Sequence, residues 1–307
     1  MKGENMYPYI FAAYADLKNE YDLLKSFVLS IRDFCGEFSS MPIVIVMNEI
    51  YRDTLTSEQT DFINSCQVQI EWITIPEKFA HIPYHEKTLA AGFVENGYLK
   101  FCNRLIWADI DTLFLQFPQE LTMLNLPLAC RPVDLKNIAG LYEEPLPAFW
   151  NEIYNCCSVS TDNLFDVVTT IDQQRIYSYF NAGCIVVSPE YRILSLWKDY
   201  FEEYVLNVEW QKYFEEDNLY KIFIHQVFLN IAITSLFTRE DIHILDYHVN
   251  YPLCNQYRYP EPFKVKDFDE LVSVRLDFYL KYGDFSEFHI SESKKSWLKA
   301  HVYSEIE

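Results

Sequence analysis

Between residues 7 and 109 short apolar runs alternate with stretches of helical periodicity, and that alternation leaves few architectures open. YPYIFAAYA (7–15), the β-branched run PIVIVMN (42–48), VQIEWITI (68–75) and RLIWAD (104–109) read as strands. Between them, residues 19–35 place Tyr21, Leu24, Val28, Ile31 and Cys35 on one helical face. TSEQTDFINSC (56–66) opens on a Thr-Ser helix start, and residues 85–97 are helical in pattern. Strands alternating with helices imply a mostly parallel sheet with helices on both faces, which binds ligands beyond the carboxyl ends of its strands. Farther on, PLACR (127–131) and AGCIVV (182–187) read as strands, 189–206 and 219–237 as helices, and 247–270, rich in Tyr, Pro and Asp, as loop. No linker separates the halves, so the reading is one α/β domain with a C-terminal elaboration.

Charge narrows the function. With 45 acidic residues against 25 basic ones the chain carries a formal charge of −20. Sequence-independent nucleic-acid binding and docking on anionic lipid both need basic surface, so both are excluded as expectations. An anionic ligand would need local compensation from a metal or a few placed Lys and Arg. The eight cysteines form no C-x-x-C pair and several sit in apolar runs, as reduced thiols of a cytoplasmic protein do. No apolar run reaches transmembrane length. YPYIFAAYA ends in an A-x-A pattern, but Lys2 is offset by Glu4, and a buried first strand explains the segment better than a secretory signal.

In RLIWADIDTLFLQFP (104–118) two aspartates interrupt an apolar run at what should be a strand's carboxyl end. Like charges so close repel, and burying either unpaired is costly, so a positive partner is required. On extended backbone residues i and i+2 point the same way, which would let Asp109 and Asp111 grip one hard cation such as Mg²⁺ or Mn²⁺. The structural alternative is a turn with Asp111 capping a helix. Two other stretches bear on the choice. YFNAGCIVVSPE (179–190) sets the small-residue turn Asn181-Ala182-Gly183 before a strand, and HISESKKSW (289–297) sets His289 ahead of Lys295 and Trp297.

Together these stretches resemble glycosyltransferases of GT-A fold. LIWADIDTLFL looks like their D-x-D segment. YFNAGCIVVSP is similar to the Asn-Ala-Gly segment of glycosyltransferase family 8, whose members include glycogenin and bacterial galactosyltransferases. HISESKKSW matches that family's C-terminal H-x-x-G-x-x-K-P-W at His, Lys and Trp. HQVFLN (225–230) resembles its D-Q-x-x-L-N, and LACRPVD (128–134) the short strand that ends in a sugar-binding aspartate. The pieces occur in the family's order over residues 7 to 297.

The resemblance implies a GT-A, Rossmann-like, mostly parallel sheet flanked by helices. The nucleotide-binding half would be 1–135, the sugar and acceptor half 136–246, and the C-terminal elaboration 247–307. It implies a metal-dependent, retaining transfer of a hexose from a UDP-sugar to a glycan, protein or lipid-linked acceptor. Asp109, Asp111 and His289 would ligate Mn²⁺ or Mg²⁺. Ala12, Ala13, Tyr14, Lys87, Ile110 and Lys295 would contact the nucleotide and its phosphates, with Asn181, Ala182 and Asp134 lining the sugar pocket. Gln226 would sit beside the anomeric carbon, and Trp297 would anchor the tail by packing. The chain departs from the family's pattern at His225, which replaces an aspartate, at Glu292, which replaces a glycine, and at Ser296, which replaces a proline. Those departures keep a non-catalytic nucleotide-sugar-binding protein open. A haloacid-dehalogenase-type phosphohydrolase is more remote, because its pattern wants Thr four residues after the first Asp, and Thr112 is three after Asp109.

Overall fold

The computed structural model describes residues 6–122, 125–276 and 285–302. The chain runs β1 (Tyr7–Tyr14), α1 (Leu17–Phe34), β2 (Ile43–Asn48), α2 (Ser57–Ser65), β3 (Val68–Ile73), α3 (His85–Tyr98) and β4 (Cys102–Ala108). It continues through β5 (Thr112–Phe114), α4 (Gln119–Thr122), β6 (Leu128–Pro132), α5 (Ala148–Cys156), β7 (Asp166–Val168), β8 (Arg175–Tyr177) and β9 (Phe180–Val187). The last part holds α6 (Ile193–Tyr204), α7 (Gln211–Glu216), α8 (Asn218–Leu236), β10 (Ile242–Ile244), β11 (Tyr251–Pro252), β12 (Ser273–Arg275) and α9 (Glu292–His301). The expected elements are present with ends shifted by one or two residues. The helix expected over 189–206 is the exception, because the 3₁₀ turn Pro189–Tyr191 precedes it.

Seven strands form the main sheet in the order β10-β6-β9-β4-β1-β2-β3. β1 pairs in parallel with β2 and β4, β2 with β3, and β6 with β10. β9 alone runs antiparallel, wedged between β4 and β6. Its amino end therefore lies beside the carboxyl end of β4, where Ala108 stands opposite Cys184. Alternation along β1 divides the core: Ile10 and Ala12 pack on one face of the sheet, Phe11 and Ala13 on the other. A smaller sheet, β11-β12-β5, sits over a third cluster that includes Leu113, Tyr251, Phe268 and Val274. The segment expected as loop over 247–270 supplies β11 and three short 3₁₀ turns to this unit.

α8 is the helix that bears on the expectation that no apolar run reaches transmembrane length. It is long and apolar enough to cross a membrane by length and composition alone, although Lys221, His225, Gln226 and Asn230 break up its apolar run. In the structure it packs against α6 and β9, and every residue from Ile224 to Thr234 is buried. At the other end of the chain, α9 lies on α1. Trp297 meets Phe34 edge-on at 5.0 Å and donates its indole N–H to Asp33 at 2.7 Å, the packing role expected of it. All eight cysteines are free thiols, five of them buried.

α6 starts without a cap of its own. Its N-cap position, Arg192, is left-handed and makes no side-chain cap bond. Glu95 of α3 supplies the cap from across the interface, accepting from Leu194 N at 3.2 Å and from Ser195 N and Oγ at 2.7 Å each. Burial pushes the Glu95 carboxyl up to about 6 from its ordinary 4.5, against those hydrogen bonds. The folded chain therefore holds the proton more tightly than the unfolded one. The stability tied to that proton is complete below pH 4.5 and is lost as the pH rises through 6. Urea denaturation of the wild type and of Glu95→Gln should show the wild type losing about 2 kcal/mol relative to the variant between pH 4.5 and 7. A constant difference across that window would refute the assignment.

Candidate active site

The D-x-D segment is a tight turn between β4 and β5, neither the extended run nor the helix cap the sequence allowed. It is pinned on two sides. Asp109 N donates to Gly183 O of β9 at 2.8 Å, and Leu276 N, just past β12, donates to Asp111 O at 2.9 Å. Thr112 N closes the turn on Asp109 O at 3.0 Å. Ile110 points into the core, and both aspartates stay partly exposed on one cavity wall. The required positive partner is Lys87. From the first turn of α3 its ammonium reaches Asp109 Oδ1 at 2.5 Å, passing over the Tyr84 ring.

Two cavities meet at this ion pair. The first, about 530 Å³, is lined by Tyr14, Asp16, Glu20, Glu86, Trp107, Ile110 and Asp111, with Tyr84, Lys87 and Asp109 on the shared wall. Five carboxylates face one lysine here. Burial, joined by the charges of Asp16, Asp109 and Glu86, raises the Glu20 carboxyl, although Asp16 N donates to it at 2.7 Å. Burial and the neighbouring carboxylates likewise raise the Tyr14 phenol. A phosphorylated ligand entering such a field meets repulsion unless a cation comes with it.

The second cavity, about 480 Å³, lies beyond the shared wall and is lined by Asp134, Asn181, Gly183, His225, Gln226 and Arg275 among others. Its polar groups are fixed from behind. Asn181 Oδ1 accepts from Gly183 N at 2.7 Å and from Asn250 Nδ2 at 3.1 Å. Gln226 Oε1 accepts from Ala182 N at 3.1 Å, while its amide donates to the Tyr179 hydroxyl at 3.4 Å. Asp134 Oδ1 accepts from the Arg131 guanidinium and, at 2.7 Å, from the Tyr259 hydroxyl. Arg131 is 2% exposed and also donates to Val249 O at 3.0 Å and Asn250 O at 2.9 Å, so one buried cation ties β6 to the segment before β11. Asp134 thus presents a compensated carboxylate, suited to accepting hydrogen bonds from hydroxyls rather than to carrying bare charge.

The structure brings Tyr14, Lys87, Asp109, Ile110, Asp111, Asp134, Asn181 and Gln226 together around these cavities. Ala182 contributes its backbone N–H, held by Gln226. Ala12 and Ala13 have fully buried side chains and line neither cavity. His289 and Lys295 also line neither. The His289 backbone is stitched to 266–268, with its N donating to Lys266 O at 2.7 Å and its O accepting from Phe268 N at 2.8 Å. This leaves the imidazole 77% exposed beside Asp267. Lys294, the neighbour of Lys295, is spent on Asp269 at 2.9 Å. Among the described residues no three His, Cys, Asp or Glu side chains gather as a metal cage. Two aspartates on a pinned turn still fit a hard divalent ion that keeps water or phosphate oxygens in its other positions. Sequence reasoning missed Asn250, Tyr259, Asp16, Glu20 and Glu86, and it passed over Arg131 although that residue lies in LACRPVD, three before Asp134.

A family model for the Rhodobacterales glycosyltransferase domain matches residues 23–237. The chain belongs to that family. It is therefore a glycosyltransferase, built on the mostly parallel sheet flanked by helices described above. The matched span of this Rhodobacterales-type glycosyltransferase contains Asp109, Asp111, Asn181, Gly183 and Gln226, and stops before His289 and Lys295. Among solved structures the glycosyltransferase is similar to the galactosyltransferase LgtC in complex with donor and acceptor sugar analogues. The two share 17% identity over 87% of this chain and 86% of that one, with a TM-score of 0.46. It is also similar to mouse xyloside xylosyltransferase 1 in apo form (12% identity, 88% and 96% coverage, TM-score 0.42). A third is core-mannan synthase A of Aspergillus fumigatus in its Mn/GDP form (9% identity, 78% and 72% coverage, TM-score 0.43). No curated protein sequence matches the chain.

The Asn-Ala-Gly segment is the amino end of β9 itself, not the turn expected before it, and packing explains why it must end on a glycine, Gly183. A Cβ there would lie 2.8 Å from Asn181 Oδ1, 2.9 Å from Asn250 Nδ2 and 3.1 Å from Asp109 Oδ2. Three polar groups would have to give way, one of them the carboxylate of the shared wall. Gly183→Ala should lower unfolding stability by about 1–3 kcal/mol, the usual cost of overpacking. Calorimetry that finds it as stable as the wild type would show that the three groups are not held as tightly as described.

Proposed function

We propose that this glycosyltransferase is metal-dependent and moves a hexose from a UDP-sugar to a hydroxyl-bearing acceptor with retention of configuration. The observation that carries the reading is the shared wall: Lys87 and Asp109 divide an acid-rich cavity from one lined by amides, a compensated carboxylate, Arg258 and Arg275. A nucleoside diphosphate with a cation suits the first cavity, and a sugar ring suits the second. The division follows the chain, since residues 1–135 supply the first cavity entirely. Residues 136–246 and the C-terminal elaboration contribute only to the second.

Asp109 and Asp111 would hold Mn²⁺ or Mg²⁺, which when bound neutralises the diphosphate and makes it a better leaving group. Lys87 would shift part of its charge from Asp109 to the phosphates. Asn181 and Asp134 would accept from or donate to sugar hydroxyls according to their chemistry, and Gln226 would face the anomeric region with a neutral amide. Within a retaining transfer, the carboxylates of the second cavity bear on the route. Asp109 is held by Lys87, and Asp134 by Arg131 and Tyr259, which leaves neither as a bare nucleophile for a double displacement. The acceptor would then attack from the face the diphosphate leaves, with a phosphate oxygen taking its proton. His289 and Lys295 have no part in this reading.

Thermal denaturation tests it. UDP with MnCl₂ at about 100 times its Kd should stabilise the protein by about 2.7 kcal/mol. That is several degrees in Tm for a domain of this size, roughly 2–4 °C per kcal/mol. UDP alone should give a much smaller rise, and Asp111→Asn should remove the metal-dependent part. Absence of any shift with UDP, GDP or their sugars in the presence of Mn²⁺ would overturn the proposal.

A further inference from the structure

His225 forms part of the second cavity's wall, immediately before Gln226 on α8, and it is 4% exposed. Its ring is fixed from several directions. The Tyr84 ring lies against it at 4.2 Å and 31°, and Trp197 packs behind at 6.4 Å while donating its indole N–H to the His225 carbonyl at 2.7 Å. His225 Nδ1 stands 2.9 Å from Ile222 O, one turn back on α8. A carbonyl only accepts, so Nδ1 carries the hydrogen of that bond. In the neutral ring the lone pair is then on Nε2, at the opposite corner, and no described residue hydrogen-bonds to it. Burial, with the Lys87 ammonium nearby, keeps the imidazole well below its usual pKa and so in that neutral form. Nε2 is not sealed off from solvent, and the cavity that His225 lines is where a donor can reach it.

We infer that His225 is a specificity residue: its Nε2 accepts a hydrogen bond from a hydroxyl of the transferred sugar. This rests on the proposed use of a nucleotide-sugar donor. His225 Nε2 can only accept and is held at one angle by Tyr84, in a cavity whose other polar lining is amides, the carboxylates Asp109 and Asp134, and the donors Lys87, Arg258 and Arg275. Such a group distinguishes sugars by whether a hydroxyl is present at that corner and how it is oriented. A site built to pair a hydroxyl rejects an analogue that lacks it far more strongly than an apolar wall does.

The test compares the affinity gained from the sugar with the affinity of the nucleotide alone. Calorimetric titrations with MnCl₂ would use UDP, UDP-glucose, UDP-galactose, GDP and GDP-mannose. In the wild type one nucleotide sugar should bind more tightly than its own nucleoside diphosphate, and UDP-glucose and UDP-galactose should differ. His225→Phe keeps the ring against Tyr84 and removes the lone pair. It should leave the Kd of the bare nucleoside diphosphate within about twofold and cut the sugar's gain about tenfold. His225→Gln, whose amide oxygen reaches a similar position, should restore part of that gain. An unchanged sugar gain in His225→Phe overturns the inference, and so does an equal loss of bare nucleotide binding, which would make His225 structural. Failure of the wild type to bind any nucleoside diphosphate would instead overturn the donor reading, and this inference with it.

Discussion

Everything at the cleft is organised around one contact, the Lys87 ammonium on the Asp109 carboxylate. The chain carries a charge of −20 and directs five carboxylates into the first cavity, so without a cation at the shared wall that cavity would be strongly repulsive to itself. Lys87 reaches Asp109 because α3 begins abruptly after Tyr84, a residue in left-handed conformation (φ 62°), which starts the helix close to the end of β4. Both side chains are mostly covered, at 10% and 27% exposure, which keeps the attraction stronger than a surface pair would have. A lysine is a compact, flexible point charge and can turn from a carboxylate to a phosphate without rebuilding the wall.

That contact is useful only if Asp109 stays in place, and the fold spends several long-range bonds on this. β9 runs against its neighbours, which brings Gly183 O to Asp109 N, and the C-terminal small sheet brings Leu276 N to Asp111 O. Behind them Arg131 gathers Asp134, Tyr259, Val249 O and Asn250 O. Asn250, left-handed at φ 54°, then donates to Asn181. A fully buried guanidinium is expensive to desolvate, but here most of its donors are matched. The result is a wall of side chains whose hydrogen bonds are committed before any ligand arrives, which is what a preorganised site requires.

The fold was legible from residues 7 to 109 because its determinants are local. β-branched runs, helical periodicity and the Thr56–Gln59 capping box each act within a few residues. The direction of β9 was not legible, since strand polarity is set by which neighbour it meets and not by its own composition. At the site, Asp109, Asp111, Asn181 and Gln226 sit in recognisable short patterns. Asn250 reaches Asn181 over 69 residues, and Arg131, besides its near partner Asp134, reaches Val249, Asn250 and Tyr259 over 118 or more, with nothing next to either that marks those distant partners. His289 shows the converse failure. Its spacing to Lys295 and Trp297 is regular, yet Trp297 fastens the tail to α1 and the backbone bonds to 266–268 turn the imidazole outward. A motif spacing records residues that can act together, while the packing of one tryptophan decides whether they do.

The position of the family match sharpens that distinction. Residues 23–237 contain the aspartate turn, the lysine that neutralises it, the Asn-Ala-Gly strand end and Gln226. The region after 237 contributes Asn250, Tyr259 and the Leu276 N–H, and each of these holds a residue of the matched span rather than replacing one. The C-terminal elaboration is therefore a brace. It closes the second cavity through Asn255, Arg258 and Arg275, and so it can change that cavity's shape while leaving the charged wall as it is. Charge balance at Lys87 and Asp109 constrains the matched span tightly, because any change there leaves a mostly covered ion uncompensated. Shape in the second cavity is constrained only by what it must hold, and His225, where the resemblance leads one to expect a carboxylate, stands on the wall of that cavity.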